Sequence, residues 1–327
     1  MQTHDIPQFW LNTFTVELSS ASPHLYGNSR QQAELRLTVE VNAGQLPLTP
    51  AQLASLTLVL ERPDGTYDQL PHSGGSGLAW WQTTERDPDF DLMPGANRTG
   101  ALSPPPATAV SKMMYVSTSQ PGGSNVKLRA RIQKDENTVY YTDDANGFDS
   151  YVTITTVRPP YFGESDYEWQ KTYDRGSVNN VFLHEYSLRL KHVGLSPRST
   201  LVTPGMIRWH INHSTETYAT FVGMARPGDS TIIYDTLIDT GPVFEPATRA
   251  QTQGRDSLIL VLNGADNIPF NREGLAQGGP CEVVLVDRHG NDHTVRLSFA
   301  ESESALERRT KVQVSYPSHR SLDALNP

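Results

Sequence analysis

Apolar and polar side chains alternate along much of this chain, and this period of two is the feature that most constrains its fold. In the segment AELRLTVEV, Leu35, Leu37 and Val39 fall on one face, whereas Glu34 and Arg36 fall on the other. The same period recurs in VKLRARIQ, YVTITTV, YSLRLKH and HTVRLSF. Strands with one apolar and one polar face are typical of antiparallel sheets that cover a core on one side. The sequence therefore predicts a mainly β protein.

Glycine and asparagine or aspartate mark the expected turns between these strands. Such dipeptides supply the positive φ angles that tight hairpins need. They occur at Asp64-Gly65, Asn146-Gly147 and Asn263-Gly264, and a related pair occurs at His289-Gly290. Helical signal is scarce, although Thr49 followed by Pro50 predicts the start of one short helix.

A stretch near the amino terminus resembles one near the carboxyl terminus. Pro47 matches Pro269, and Leu53 matches Leu275 at the same offset. A shared unit of strand, turn, strand and glycine turn indicates two related β-domains. A second pairing is also open, because LRLTVEV from Leu35 resembles LRLKHVG from Leu188, which would shorten the repeat.

The segment VRPPYFGESD marks the expected boundary between the domains, because its two prolines end a strand and stiffen the chain. We expect an amino-terminal β-sandwich domain over residues 1–160 and a second over residues 161–327 that repeats the first. The predicted architecture is a tandem of antiparallel, immunoglobulin-like β-sandwich domains with very little helix. Only the architecture is implied, since a chain with one cysteine lacks the Cys-Trp-Cys pattern of antibody domains.

Charge and hydropathy exclude several classes of partner. The chain of 327 residues has a formal charge of −9 and no run of basic residues, so nucleic acid is not an expected partner. No apolar stretch reaches the roughly 18–20 residues that a transmembrane helix needs. No signal peptide is visible, so we expect a cytoplasmic protein or export by a signal-independent route.

Cys281 lies in the strand-like run CEVVLV, where a buried apolar role is expected.

The segment RWHINHSTE carries a candidate metal site. His210, His213 and Glu216 are residue types that could ligate zinc. On a helix, residues three apart share a face, but this segment is predicted to be a strand, where they point to opposite faces. The spacing therefore favours ordinary strand or turn histidines over a metal site.

The segment DPDFD is a candidate for calcium binding. Asp87, Asp89 and Asp91 stand at alternate positions, and clustered carboxylates can hold calcium through hard oxygen ligands. The segment departs from the calcium-loop pattern, because Leu92 stands where the sharp turn needs glycine and Arg98 stands where the final ligand is Glu. An acidic solvated loop is the favoured interpretation.

Two adjacent indoles, Trp80 and Trp81, are the candidate binding aromatics. In a strand one ring points inward and its neighbour points outward, where an exposed indole could stack on a sugar or anchor a partner protein. The alternative is that one ring lies in the core and the other covers a sheet edge, which is the common role of such residues.

Patterns for catalysis are absent from the sequence. It contains no G-x-S-x-G elbow, no G-x-x-x-x-G-K-[ST] phosphate loop and no G-x-G-x-x-G segment. We therefore expect no enzyme and no cofactor.

The sequence leaves three functional hypotheses in order. The first is a non-catalytic structural or adhesion-like protein that acts through protein contacts, with itself as a homo-oligomer or with another protein. The second is a ligand-binding module for a glycan, using Trp80 or Trp81 with loop carboxylates such as Asp87 and Asp89. The third is a secreted, toxin-like protein whose Ser/Thr-rich segments TETYATFVGM and DSTIIYDTLIDT act on membranes.

Overall fold

The computed structural model describes most of the chain as β-structure. The described residues are 10–75, 77–94, 104–176, 181–191, 197–203, 208–212, 217–234, 245, 247–265, 281–300, 307 and 309–316. The chain divides into two compact units. The first contains Met1–Pro160 with His289–Asn291, and the second contains Tyr161–Arg288 with Asp292–Pro327.

The described strands of the first unit form two sheets. They are β1 (Leu11–Leu18), β2 (His24–Tyr26), β3 (Ala33–Val41), β4 (Thr57–Glu61), β5 (Tyr67–Gln69), β6 (Trp80–Thr83), β7 (Val110–Thr118), β8 (Asn125–Asp135), β9 (Thr138–Tyr141) and β10 (Val152–Val157). One sheet has the order β1-β3-β7-β6, and the other has the order β2-β10-β8-β4-β5, with β9 also paired to β8. Neighbours are antiparallel except for β2 and β10, which run parallel.

The described strands of the second unit also form two sheets. They are β11 (Tyr167–Gly176), β12 (Phe182–Leu190), β13 (Pro197–Thr203), β14 (Arg208–Asn212), β15 (Thr217–Ala225), β16 (Leu258–Ala265), β17 (Cys281–Asp287), β18 (Asp292–Phe299) and β19 (Val312–Ser315). Their orders are β11-β12-β16-β15-β14 and β13-β17-β18-β19, with every pair antiparallel. The prediction of a mainly β protein with several antiparallel sheets is confirmed.

Alternate side chains of the strands form the hydrophobic core of each unit. In β3, Leu35, Leu37 and Val39 are fully buried in the core of the first unit. In β18, Val295 and Leu297 are fully buried in the core of the second unit. The period of two in the sequence therefore corresponds to one buried face in each strand.

Helical structure is short wherever the chain is described. The predicted helix is confirmed as α1 over Pro50–Ser55. Its capping residue Thr49 accepts a hydrogen bond from the backbone of Gln52, whose side chain binds back to the backbone of Thr49. Single 3-10 turns lie at Asp144–Asn146 and Glu164–Asp166.

One predicted turn is wrong. Gly65 and Gly147 have φ angles of 80° and 82° and lie in turns, as expected. Gly264 instead lies inside β16, directly opposite Phe182 of β12. A Cβ atom at Gly264 would stand 1.8 Å from the ring atom Cε1 of Phe182, so the glycine makes room for that ring. The requirement at this position is close packing between strands, which the local Asn-Gly signal does not reveal.

The second unit carries a smaller apolar cluster besides its main core. Ile259 and Val261 of β16 pack with Ala225 and Ile232. The residues that alternate with them in β16 belong to the main core, and these are Leu258, Leu260 and Leu262. Strand β16 is therefore buried on both faces, because part of the connection between β15 and β16 covers the outer one.

Candidate binding groove of the first unit

The adjacent indoles of β6 point to opposite faces, as a strand requires. Trp80 lies in the core of the first unit and is 7% exposed. Trp81 lies on the other face but is only 8% exposed, because the backbone of Gly74 packs against it. A Cβ atom at Gly74 would stand 2.9 Å from Cε2 of Trp81. Both indoles of this strand are therefore largely buried, whereas the binding hypothesis required an exposed ring.

Trp81 nevertheless lines an open groove of about 620 Å³. Most of the lining residues are polar, and they carry both signs of charge. Among them are Arg30, Gln32, His72, Trp81, Arg86 and Asp87. The structure thus brings together Trp81 and Asp87, which the sequence analysis singled out. It also adds two cations, Arg30 and Arg86, which the sequence analysis did not identify.

Gln32 holds the segment that follows β6 in place. Its Oε1 accepts a hydrogen bond of 2.7 Å from the backbone N–H of Asp87. Its Nε2 donates to Oγ1 of Thr83 at 3.3 Å and to the backbone oxygen of Glu85 at 3.4 Å. Because Gln32 is 9% exposed, these bonds are shielded from water. One buried amide therefore fixes the wall of the groove that carries Asp87.

The three aspartates of this segment have different roles. Oδ1 of Asp87 accepts a hydrogen bond of 2.9 Å from the backbone N–H of Asp89, and this bond closes a local turn. Asp89 is exposed, and Asp91 is half-buried and accepts a bond from Gln31 through its backbone oxygen. Neither Asp89 nor Asp91 lines the groove. Across the described residues, no group of three or more His, Cys, Asp or Glu side chains is placed to hold a metal ion.

The candidate zinc ligands are only partly within the described residues. His210 lies in β14, as the strand prediction required. Its side chain, together with His213 and Glu216, lies outside the described residues. Cys281 begins β17, and its side chain is likewise outside the description.

A second groove, of about 730 Å³, lies in the second unit and was missed in the sequence. It is lined by Tyr167 and Trp169 of β11, by Tyr316 just after β19, and by Lys191. The rings of Tyr167 and Tyr316 stack with centroids 4.6 Å apart. Burial raises the pKa of Tyr316 to about 12, so its hydroxyl stays neutral. These aromatic residues are far apart in the sequence, and no local pattern joins them.

One His–Asp pair in the second unit has the spacing of a catalytic dyad but lacks access. Nε2 of His293 lies 2.9 Å from Oδ2 of Asp287. Their side chains are 2% and 0% exposed, and the ring of Phe162 lies 4.9 Å from that of His293. A substrate cannot reach this pair without local opening, so its role in the folded unit is structural.

The segments proposed to act on membranes are partly built into the second unit. Strand β15, from Thr217, lies between β14 and β16, and Ile232 packs into the smaller apolar cluster. The rest of these segments, 215–216 and 235–240, lies outside the described residues. No helix in the described part of the chain is long and apolar enough to span a bilayer.

Comparisons with known proteins give no family. No family model matches the chain, and no curated protein matches it. Among solved structures, the adhesin InvE of Yersinia pseudotuberculosis is similar at 10% identity, with a TM-score of 0.21. The match covers 91% of this chain, which spans 63% of the length of the adhesin chain. At this TM-score the two backbones do not superpose as one fold, so the likeness supports no assignment.

Proposed function

We propose that both units are immunoglobulin-like sandwiches. In the first unit, naming β1, β3, β4, β6, β7, β8 and β10 as strands A to G gives the sheets A-B-E-D and C-F-G. In the second unit, β11, β12, β13, β15, β16, β17 and β18 give the same two sheets. This common order supports the architecture and the internal repeat.

The strand order also favours one of the two repeat pairings. If the units repeat, β3 corresponds to β12, and these are the strands that contain Leu35 and Leu188. The pairing of Pro47 with Pro269 would instead match the connection between β3 and β4 with the connection between β16 and β17. The pairing of the segments that begin at Leu35 and Leu188 is supported, because both segments begin in equivalent strands.

For function, we propose a non-catalytic, adhesion-like protein that acts through protein contacts and associates with itself. The observation that carries this proposal is β11, a strand of ten residues at the end of its sheet with β12 as its neighbour among the described strands. An edge strand presents backbone N–H and C=O groups that can pair with another chain. Sedimentation equilibrium over a wide range of concentration tests the proposal. A purely monomeric chain across that range would refute it.

A glycan-binding role is the second candidate, and the groove of the first unit favours it. The lining that contains Trp81 also contains two cations, Arg30 and Arg86, and two carboxylates, Glu85 and Asp87. Such a mixed lining offers donors and acceptors to the hydroxyl groups of a neutral sugar, and the indole offers an apolar contact.

The structure changes how this second candidate is tested. Because Trp80 and Trp81 are both buried, replacing them would disturb the fold as well as any site. Asp87→Asn keeps an oxygen for the turn with Asp89 but removes the charge from the groove. Asp87→Asn should abolish signals on a glycan array, whereas Asp68→Asn, at an exposed ion pair elsewhere in the unit, should keep them. An array without signal for the unmodified protein would exclude this role for the glycans tested.

A further inference from the structure

The edge strand β11 carries an exposed cation with no ion-pair partner among the described residues. This cation is Arg175, and no described carboxylate lies within ion-pair distance of it. The other charged residues of the strand are paired. Lys171 binds Asp174 at 2.6 Å, and Glu168 accepts a bond of 2.7 Å from Nε of Arg189. Arg175 can therefore meet a carboxylate from outside the chain.

A bulge places Arg175 on the same face as Glu168. The register between β11 and β12 shifts between Lys171 and Tyr173. Across that shift Glu168 stands opposite Arg189, and Arg175 stands opposite Leu183. Positions 189 and 183 of β12 are an even number apart, so their side chains share a face. Glu168 and Arg175 then share that face as well, although they are an odd number apart in β11.

We propose that a second copy of this chain pairs its β11 antiparallel to this one, with Glu168 of each copy opposite Arg175 of the other. This inference rests on the proposed self-association and names its surface. A two-fold axis makes both contacts at once, because residue i contacts residue j and j contacts i. Opposite charges in direct cross-strand register are stabilising, and like charges are destabilising.

The charge pattern favours this register over its two neighbours. A slip by one residue in one direction would place Glu168 opposite Asp174 of the other copy, which brings two carboxylates together, and a slip in the other direction would place it opposite the uncharged Gly176. The carboxylate of Glu168 also has room for a second guanidinium, since Arg189 binds it through Oε2. Charges on edge strands usually discourage pairing. Here their arrangement permits an antiparallel pair in which each Glu168 meets an Arg175.

The test uses two single charge reversals in the full chain, Glu168→Arg and Arg175→Glu. Each variant alone brings like charges together in its own dimer, so its dimer dissociation constant should rise about tenfold or more. A mixture of the two variants should restore association. The Glu168→Arg chain presents cations at both positions and the Arg175→Glu chain presents carboxylates at both, so each contact of the mixed dimer joins opposite charges.

Arg62→Glu, at an exposed ion pair of the first unit, is the matched control. It reverses one cation on the surface without touching β11, so it should associate as the unmodified chain does. Sedimentation equilibrium measures the dissociation constants, and circular dichroism shows whether each variant keeps its fold.

The two measurements together separate the outcomes. Pairing through β11 would be supported if the circular dichroism spectra are unchanged, each single variant dimerises more weakly, and the mixture of the two variants regains the dissociation constant of the unmodified chain. If the unmodified chain associates but both reversals leave its dissociation constant unchanged, this surface is wrong and self-association uses another one. If the unmodified chain stays monomeric, the proposed function fails together with this inference.

Discussion

Gln82 of β6 joins the two sheets of the first unit, and its removal should cost more than any surface change in that unit. The side chain is fully buried. Its Oε1 accepts a hydrogen bond of 2.9 Å from the backbone N–H of Leu58, and its Nε2 donates to the backbone oxygen of Leu70 at 2.7 Å. Gln82→Leu keeps the approximate volume but leaves both backbone groups without this partner.

The expected loss follows from the two orphaned groups. Each buried backbone group without a partner costs about 1–3 kcal/mol, and the leucine recovers part of this through apolar burial. We expect the free energy of unfolding to fall by about 2–4 kcal/mol. For a unit of this size that corresponds to a melting temperature lower by about 5–15 °C. Urea unfolding followed by circular dichroism measures the first quantity, and hydrogen exchange of the Leu58 amide measures local protection.

A charged variant of the same residue gives a pH signature. In Gln82→Glu, burial should raise the pKa of the new carboxyl above its value in the unfolded chain. The protonated carboxyl can donate a hydrogen bond to the oxygen of Leu70. The stabilisation of the folded variant by this bond is therefore present at low pH and is lost as pH rises through the raised pKa. Gln69→Leu, at an exposed position of β5, is the control and should change stability by less than about 0.5 kcal/mol. Equal losses in Gln82→Leu and Gln69→Leu would refute the reasoning.

Three further predictions concern the second unit. Glu185 is fully buried and accepts hydrogen bonds from the backbone N–H groups of Gln251 and Thr252. Glu185→Ala should therefore lower the free energy of unfolding, measured by urea titration, by about 2–5 kcal/mol. An unchanged urea midpoint would contradict this. The pKa of His184 lies below its ordinary value, chiefly because the ring is buried, so the stability due to its neutral form is lost as pH falls below the unfolded value near 6.5. The decline in melting temperature between about pH 7 and pH 5 should therefore be smaller in His184→Gln, and equal slopes would argue against this assignment. Gly264→Ala should destabilise the unit by about 1–3 kcal/mol, because the added methyl meets the ring of Phe182; calorimetry that shows no change would mean that the ring moves aside freely.

The class of fold could be predicted because its signal is local. Alternation in β3 and the capping pair Thr49 and Gln52 are each contained within a few residues. The groove could be predicted only in part. Trp81 and Asp87 are near one another in sequence, but Gln32, which holds that wall, is 55 residues away from Asp87.

Other features depend on contacts that no local pattern reveals. The burial of Trp81 follows from the approach of Gly74, and the role of Gly264 follows from a ring on the neighbouring strand. One missed feature did have a signal. The unbroken apolar run from Leu258 to Leu262 departs from alternation, and such a run predicts a strand that is covered on both sides.

The bulge gives β11 one residue more than β12 between the same two cross-strand pairs, Glu168 with Arg189 and Arg175 with Leu183. Deleting Thr172 would remove the extra residue but leave Arg175 opposite Leu183, six positions from Glu168 and still on its face. Homologous chains with or without this residue would therefore display the two charges on the same side of the sheet, as long as they keep the pairing with β12.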